Sequence, residues 1–163
     1  MDKKHFILYM RNFIFGAEDS LVSTVGLLSG IVSAGIVQKE VVISGLILIF
    51  VESFSMSVGS FLSERTTEEH YPDFKHTESR SVSAAFIMFL SYLFFGLIPL
   101  FPYIISNKHA FLLSILASLF TLFLLGFVSA KILKTKLLKS AVRMMTIGGV
   151  AICLGIIVGV IAK

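Results

Sequence analysis

The first apolar stretch of the chain, from Phe13 to Ile31, reads FIFGAEDSLVSTVGLLSGI. About 20 such residues cross a bilayer as an α-helix. The stretch nevertheless carries two adjacent carboxylates, Glu18 and Asp19. A charge at the centre of a membrane helix costs about 2.5–3.5 kcal/mol on insertion scales, and acids at this depth usually face a polar path. Glu18 and Asp19 are therefore the first functional-site hypothesis.

The composition of the whole chain is that of a membrane protein. Its 163 residues are 56% hydrophobic, with a mean hydropathy of +0.92, which is more apolar than an ordinary soluble domain. Five stretches are long enough to span a bilayer, at residues 13–36, 41–63, 81–105, 109–130 and 141–162. The connections, of which 64–80 is the longest, leave no room for a soluble domain. The sequence predicts an all-α membrane protein, with residues 1–163 forming a single transmembrane domain.

The basic residues are distributed unevenly between the two sides of these spans. Three precede span 1, three lie between spans 2 and 3, and five lie between spans 4 and 5, whereas the other side holds only Lys39, Lys108 and Lys163. This bias places the N-terminus and connection 64–80 in the cytoplasm and the C-terminus outside. It also accounts for the net charge of +4 without a nucleic-acid partner.

A third membrane-embedded acid, Glu52, lies in span 2 one helical turn before Met56. The short link at 37–40 makes spans 1 and 2 an antiparallel hairpin. Counting depth from a tip near residue 38–39 places Asp19 level with Met56. Glu52 is then four residues further out, roughly 6 Å at 1.5 Å per residue. The three side chains are expected to follow one another along a single path.

Carboxylates and a thioether together favour a borderline ion such as Fe²⁺ or Mn²⁺. One chain offers too few ligands, but a two-fold homodimer would supply four carboxylates and two thioethers from Asp19, Glu52 and Met56. The same acids would take up protons when the metal leaves, which is the chemistry of metal/proton exchange. The metal is a transported substrate in this interpretation, and no permanently bound cofactor is predicted.

Other interpretations stay open for these residues. Glu52 also suits a structural hydrogen bond between helices, and Met56 suits a core position. Glu18 points about 100° away from Asp19 on a helix. It would pair with Arg11 or with a basic residue of another helix, in packing or at a metal entrance.

Two acids of the connection, Glu64 and Glu68, are a solvated face or an accessory entrance site. At the level of the whole protein, a passive cation or proton channel and a non-transporting scaffold are the alternatives to an exporter. Serines such as Ser60 have no histidine or lysine partner at membrane depth, so the chain is not expected to be an enzyme.

At these residues the chain resembles the vacuolar iron transporter family. The resemblance rests on residues 11–26 (RNFIFGAEDSLVSTVG) and 55–63 (SMSVGSFLS). It is weaker at 68–71 (EEHY), 96–102 (GLIPLFP) and 126–149. It implies a five-span homodimer in the lipid bilayer, with a pore on the dimer axis that carries Fe²⁺, often also Mn²⁺, out of the cytosol in exchange for protons. The family's pore aspartate corresponds to Asp19 and its pore methionine to Met56.

The chain departs from the family pattern at several positions. Asn12 replaces an aspartate, and Ser20 replaces a glycine. The pore glutamate expected eight residues before the methionine is Leu48, and Glu52 stands one turn closer. Eukaryotic members insert a Glu- and Met-rich metal-binding domain between spans 2 and 3, where this chain has only residues 64–80. A short member of this kind suggests a prokaryotic plasma membrane, or a vacuolar-type membrane if the source is eukaryotic.

Overall fold

The computed structural model describes the backbone of residues 3–70, 78–105 and 108–163. These residues form five α-helices: α1 (Lys3–Ser33), α2 (Gln38–His70), α3 (Glu78–Ile105), α4 (Ala110–Ile132) and α5 (Leu137–Ile161). Each contains a segment long and apolar enough to cross a membrane. The prediction of an all-helical protein with five membrane-crossing helices is confirmed.

The turn between α1 and α2 lies three residues earlier than the sequence suggests. α1 ends at Ser33 because Gly35 adopts a positive φ of 82°, which glycine alone enters without strain. The N–H of Ile36 then donates to the carbonyl of Ile31, and the N–H of Gly35 to that of Val32, which closes the helix in a Schellman motif. The predicted end of span 1 at residue 36 is therefore wrong by three residues. At its other end α2 stays helical to His70, well into the predicted connection 64–80.

α1 lies between α3 and α5, and glycines set both contacts. A Cβ on Gly155 or Gly159 would clash with the carbonyl oxygens of Gly26 and Gly30, so the α1 and α5 backbones touch directly. On the α3 side, a Cβ on Gly16 would lie 2.9 Å from the Met88 carbonyl oxygen. Such small residues allow close helix approach in a membrane, where no hydrophobic effect drives helices together.

α2 lies at the edge of the bundle. Among the described helices it packs mainly against α3 and touches α1 over a shorter length. The core beside it is formed by α1, α2 and α3 around Leu28, Ile49 and Leu100, all fully buried. α4 packs against α5 on the far side of α1. In this arrangement none of the described helices covers one face of the α1–α2 pair.

Candidate metal pathway

Two polar contacts fix the register between α1 and α2. The Ser60 hydroxyl donates to the Asn12 side-chain oxygen at 2.5 Å, and the Arg11 guanidinium pairs with the Glu64 carboxylate. Asn12 is itself held by α1, since its amide donates to the Leu8 carbonyl at 3.0 Å. The two helices are therefore antiparallel neighbours that are tied together at the Arg11 end.

Further along the two helices, the charges of Asp19 and Glu52 act on each other. Each residue lies the same number of residues from its helix end at the hairpin, Ser33 or Gln38, and the two carboxylates repel each other. Met56 lies one turn closer to the Arg11 end. The predicted depth, with Asp19 level with Met56 and Glu52 further out, stays a prediction: counting from the helix ends pairs Asp19 with Glu52, whereas counting from the Arg11–Glu64 ion pair gives Asp19 with Met56. The predicted depth starts from a tip near residue 38–39, whereas Gly35 places the turn about three residues earlier.

A tyrosine of α3 completes the surroundings of this acidic pair. Tyr92 is fully buried, and the charges of both Asp19 and Glu52 act on its hydroxyl. The hydroxyl is 2.7 Å from the Ser23 hydroxyl, while Ser20 donates to the Tyr92 carbonyl at 2.5 Å. Sequence reasoning missed Tyr92, because nothing in the pattern of span 3 indicates which of its residues faces α1.

Met56 lines a cavity of about 630 Å³ between α1, α2 and α3. Its other polar walls are Asn12, Ser55 and Ser60, and Met88 of α3 contributes a second, almost fully buried thioether. Met88 is the second residue that the sequence did not reveal. The cavity thus offers hydroxyl and amide oxygens as well as two sulphur atoms, next to the level of the acidic pair.

Arg11 lines the same cavity, and its partner Glu64 is nearly buried. Of the two predicted entrance residues, Glu64 is thus engaged in an ion pair that links α1 and α2. Glu68 lies one turn further along α2, and its side chain is outside the described part of the chain.

Glu18 does not line this cavity. It lines a separate cavity between α1, α4 and α5, where the positive charge of Arg143 attracts it. Arg11, the other partner considered for Glu18, is the one that pairs with Glu64. Adjacent positions on α1 therefore belong to two different environments.

The family relationship follows from comparison with known proteins. A family model described as the VIT family matches residues 10–83 and 67–160, which together cover most of the chain. The chain belongs to the VIT family.

Two relatives of this chain are named iron transporters. The chain is 24% identical to the "Vacuolar iron transporter" of Plasmodium berghei, in an alignment that covers 100% of this chain and 84% of the relative. It is 22% identical to "Vacuolar iron transporter 1" of Arabidopsis thaliana, over 91% of this chain and 85% of the relative. These relationships support metal-ion transport by an integral membrane protein.

The residues at which this chain departs from the VIT-family pattern make defined contacts in the structure. Asn12 accepts the hydrogen bond that ties α1 to α2, and Ser20 donates the one that ties α1 to α3. Leu48 lies in α2 one turn beyond Glu52 and lines an apolar cavity against α1 and α5. Glu52, one turn from Leu48, is the α2 carboxylate whose charge acts on Asp19.

Proposed function

We propose that this VIT-family protein exports Fe²⁺ or Mn²⁺ from the cytosol as a homodimer, in exchange for protons, through a pore on the dimer axis lined by α1 and α2. The observation that carries the proposal is the position of Asp19 near Glu52, with Met56 one turn from Glu52, on the open face of the bundle.

The ligand set suits a divalent ion of intermediate softness. Carboxylate oxygens favour Mn²⁺ and Mg²⁺, whereas thioethers favour softer ions, so a mixed set favours Fe²⁺ and Mn²⁺. Within the described residues of one chain, no three His, Cys, Asp or Glu side chains form a metal-binding group. A two-fold axis beside α1 and α2 would double Asp19, Glu52 and Met56 and supply six donor side chains.

The open face of α2 supports the pairing of two chains. Ser55, Gly59 and Ser63 follow each other along this face, and all three are exposed in the single chain. A Cβ on Gly59 would meet no atom within 4 Å. Polar and small side chains at membrane depth belong against another helix or a water-filled path rather than against lipid. A second copy of the chain would cover them.

Proton exchange follows from the facing acids. Two neighbouring carboxylates repel each other, and in a low-dielectric path either a bound cation or a proton relieves the repulsion. Metal binding on the cytosolic side would displace protons, and protonation from the other side would release the metal. We place this exchange in a prokaryotic plasma membrane.

The test is Fe²⁺ and Mn²⁺ uptake into proteoliposomes that contain the full chain, with and without a pH gradient. We expect uptake to depend on the gradient and to fall at least tenfold in Asp19→Asn and Met56→Leu. Glu40→Gln removes an exposed carboxylate at the hairpin, and Met144→Leu alters a buried methionine of α5. Both control variants should transport normally.

Other outcomes would separate the alternatives. Proton flux without metal, insensitive to Fe²⁺, would indicate a passive proton channel. Normal metal transport by Asp19→Asn and Met56→Leu would refute the assigned site. Cross-linking of Ser55→Cys across two chains tests the dimer, and its failure under conditions of active transport would refute the axial pore.

A further inference from the structure

A second cavity, of about 440 Å³, lies between α1, α4 and α5 and plays no part in the proposed metal pathway. It opens where α4 ends at Ile132 and α5 begins at Leu137. This is the end of the bundle at which α1 begins, and the basic residues predict that it faces the cytoplasm.

Cations dominate the polar lining of this cavity. Lys136, Lys139 and Arg143 recur at intervals of three and four residues, which places them on one side of the first two turns of α5. The one acid in the lining is Glu18, whose charge interacts with that of Arg143. No described acidic side chain forms an ion pair with Lys136 or Lys139. The cavity therefore has an excess of positive charge.

The depth of each cation along the helix axis indicates which kind of ligand fits the cavity. Lys136 immediately precedes α5, and Arg143 lies seven residues further along, roughly 10.5 Å deeper at 1.5 Å per residue. The wall also carries the apolar side chains of Ile14, Leu133 and Met144, together with Ala130 and the hydroxyl residues Ser129, Thr135 and Ser140. A basic rim above a partly apolar wall, at the end of membrane-crossing helices, matches a phospholipid, which has an anionic headgroup above its acyl chains.

We propose that this cavity binds the phosphate of an anionic phospholipid headgroup through Lys136, Lys139 and Arg143, with the Ser140 hydroxyl as a neutral donor. Glu18 positions Arg143 by attracting its guanidinium towards α1. A zwitterionic headgroup carries its own positive charge and leaves the cations of the cavity uncompensated, so the site selects anionic lipids. The proposal does not depend on the transport mechanism.

Native mass spectrometry of the full chain in detergent tests the site, with dioleoyl phosphatidylglycerol and dioleoyl phosphatidylcholine as probes. We expect phosphatidylglycerol to bind at least tenfold more tightly than phosphatidylcholine. Because each basic residue near the surface contributes about a factor of five, Lys136→Gln/Lys139→Gln should weaken phosphatidylglycerol binding on the order of 30-fold. Both lysines are exposed, so this variant is expected to fold.

The matched control is Lys108→Gln/Lys163→Gln, which removes two exposed lysines at the opposite end of the bundle. It should leave phosphatidylglycerol binding unchanged. Equal binding of the two lipids, or an equal loss in the control variant, would overturn the proposal. A separate titration with inorganic phosphate distinguishes the source of the anion. Displacement of the lipid by millimolar phosphate would show a site for free phosphate and overturn the assignment to a lipid.

Discussion

The Arg11–Glu64 ion pair predicts an unequal response to the loss of its two partners. The Glu64 side chain is only 10% exposed, whereas that of Arg11 is 65% exposed. Removing Arg11 leaves a carboxylate in a nearly buried position, and an unpaired buried charge costs 3–5 kcal/mol when it is fully enclosed. Since this pair lies at the edge of the bundle, water recovers part of that cost. We expect Arg11→Met to lower the free energy of unfolding by about 1–3 kcal/mol.

The reverse change should be nearly silent. Glu64→Gln leaves Arg11 free to extend into water, and losing an exposed ion pair costs about 0–1 kcal/mol. Methionine and glutamine keep most of the length of the replaced side chains, so packing changes little. In the double variant no unpaired carboxylate remains, and its stability should return to that of Glu64→Gln alone.

Unfolding by sodium dodecyl sulphate in mixed micelles, followed by helical circular dichroism, measures these differences. Lys39→Met, a change of an exposed cation at the hairpin, is the control. A larger loss in Glu64→Gln than in Arg11→Met, or additive losses in the double variant, would refute the reasoning.

Three further predictions concern packing and backbone strain. Gly155→Ala should destabilise the protein by about 1–3 kcal/mol in the same assay, because the new Cβ would clash with the Gly26 carbonyl oxygen. Gly149→Ala is the control and should leave stability unchanged, because a Cβ there would meet no atom within 4 Å. Thr24→Val should raise the free energy of unfolding by about 1 kcal/mol, since it removes a buried hydroxyl without a partner. Lys134→Gly should raise the thermal midpoint slightly, because Lys134 holds a strained φ of 54°.

The helices of this fold are predictable from the sequence because each is a long apolar run, and lipid allows such a run to be only a helix. A close approach of α5 to another helix is also predictable, although its partner, α1, is known only from the structure. Gly155 and Gly159 lie four residues apart, and this spacing favours contact between helix backbones whatever the rest of the fold. These features are local, so one segment of sequence suffices to predict them.

The depth of the acids is harder to predict, since it depends on where the hairpin turns. A difference of three residues in the turn displaces one helix by about 4.5 Å relative to the other. That is most of the rise of about 6 Å between Glu52 and Met56, so the residue of α2 at the level of Asp19 depends on it. The Schellman motif at Gly35 makes this difference, and glycines occur so often in α1 that the sequence alone does not identify the one that ends the helix.

The α3 residues that lie near the acidic pair and Met56 cannot be predicted from the sequence, for a different reason. Tyr92 and Met88 approach the acidic pair and Met56 through contacts between residues far apart in the chain. These contacts form because the serine and glycine residues between the two helices are small enough to let α3 lie directly against α1. Which of the apolar residues of α3 then faces inward depends on the rotation of both helices.

The rotation of α1 also explains how two adjacent acids serve two separate environments. Glycine contacts fix α1 on both flanks. Gly16 lies against α3, and a Cβ on Gly30 would lie only 2.9 Å from the carbonyl oxygen of Gly155 on α5. Between these contacts the helix turns about 100° per residue, so Asp19 faces α2 while Glu18 faces the basic cavity. A rotation of α1 by one residue would bring Glu18 towards Glu52 and leave Arg143 without its acid. The glycines that pack α1 against its neighbours therefore also determine which carboxylate reaches the metal pathway.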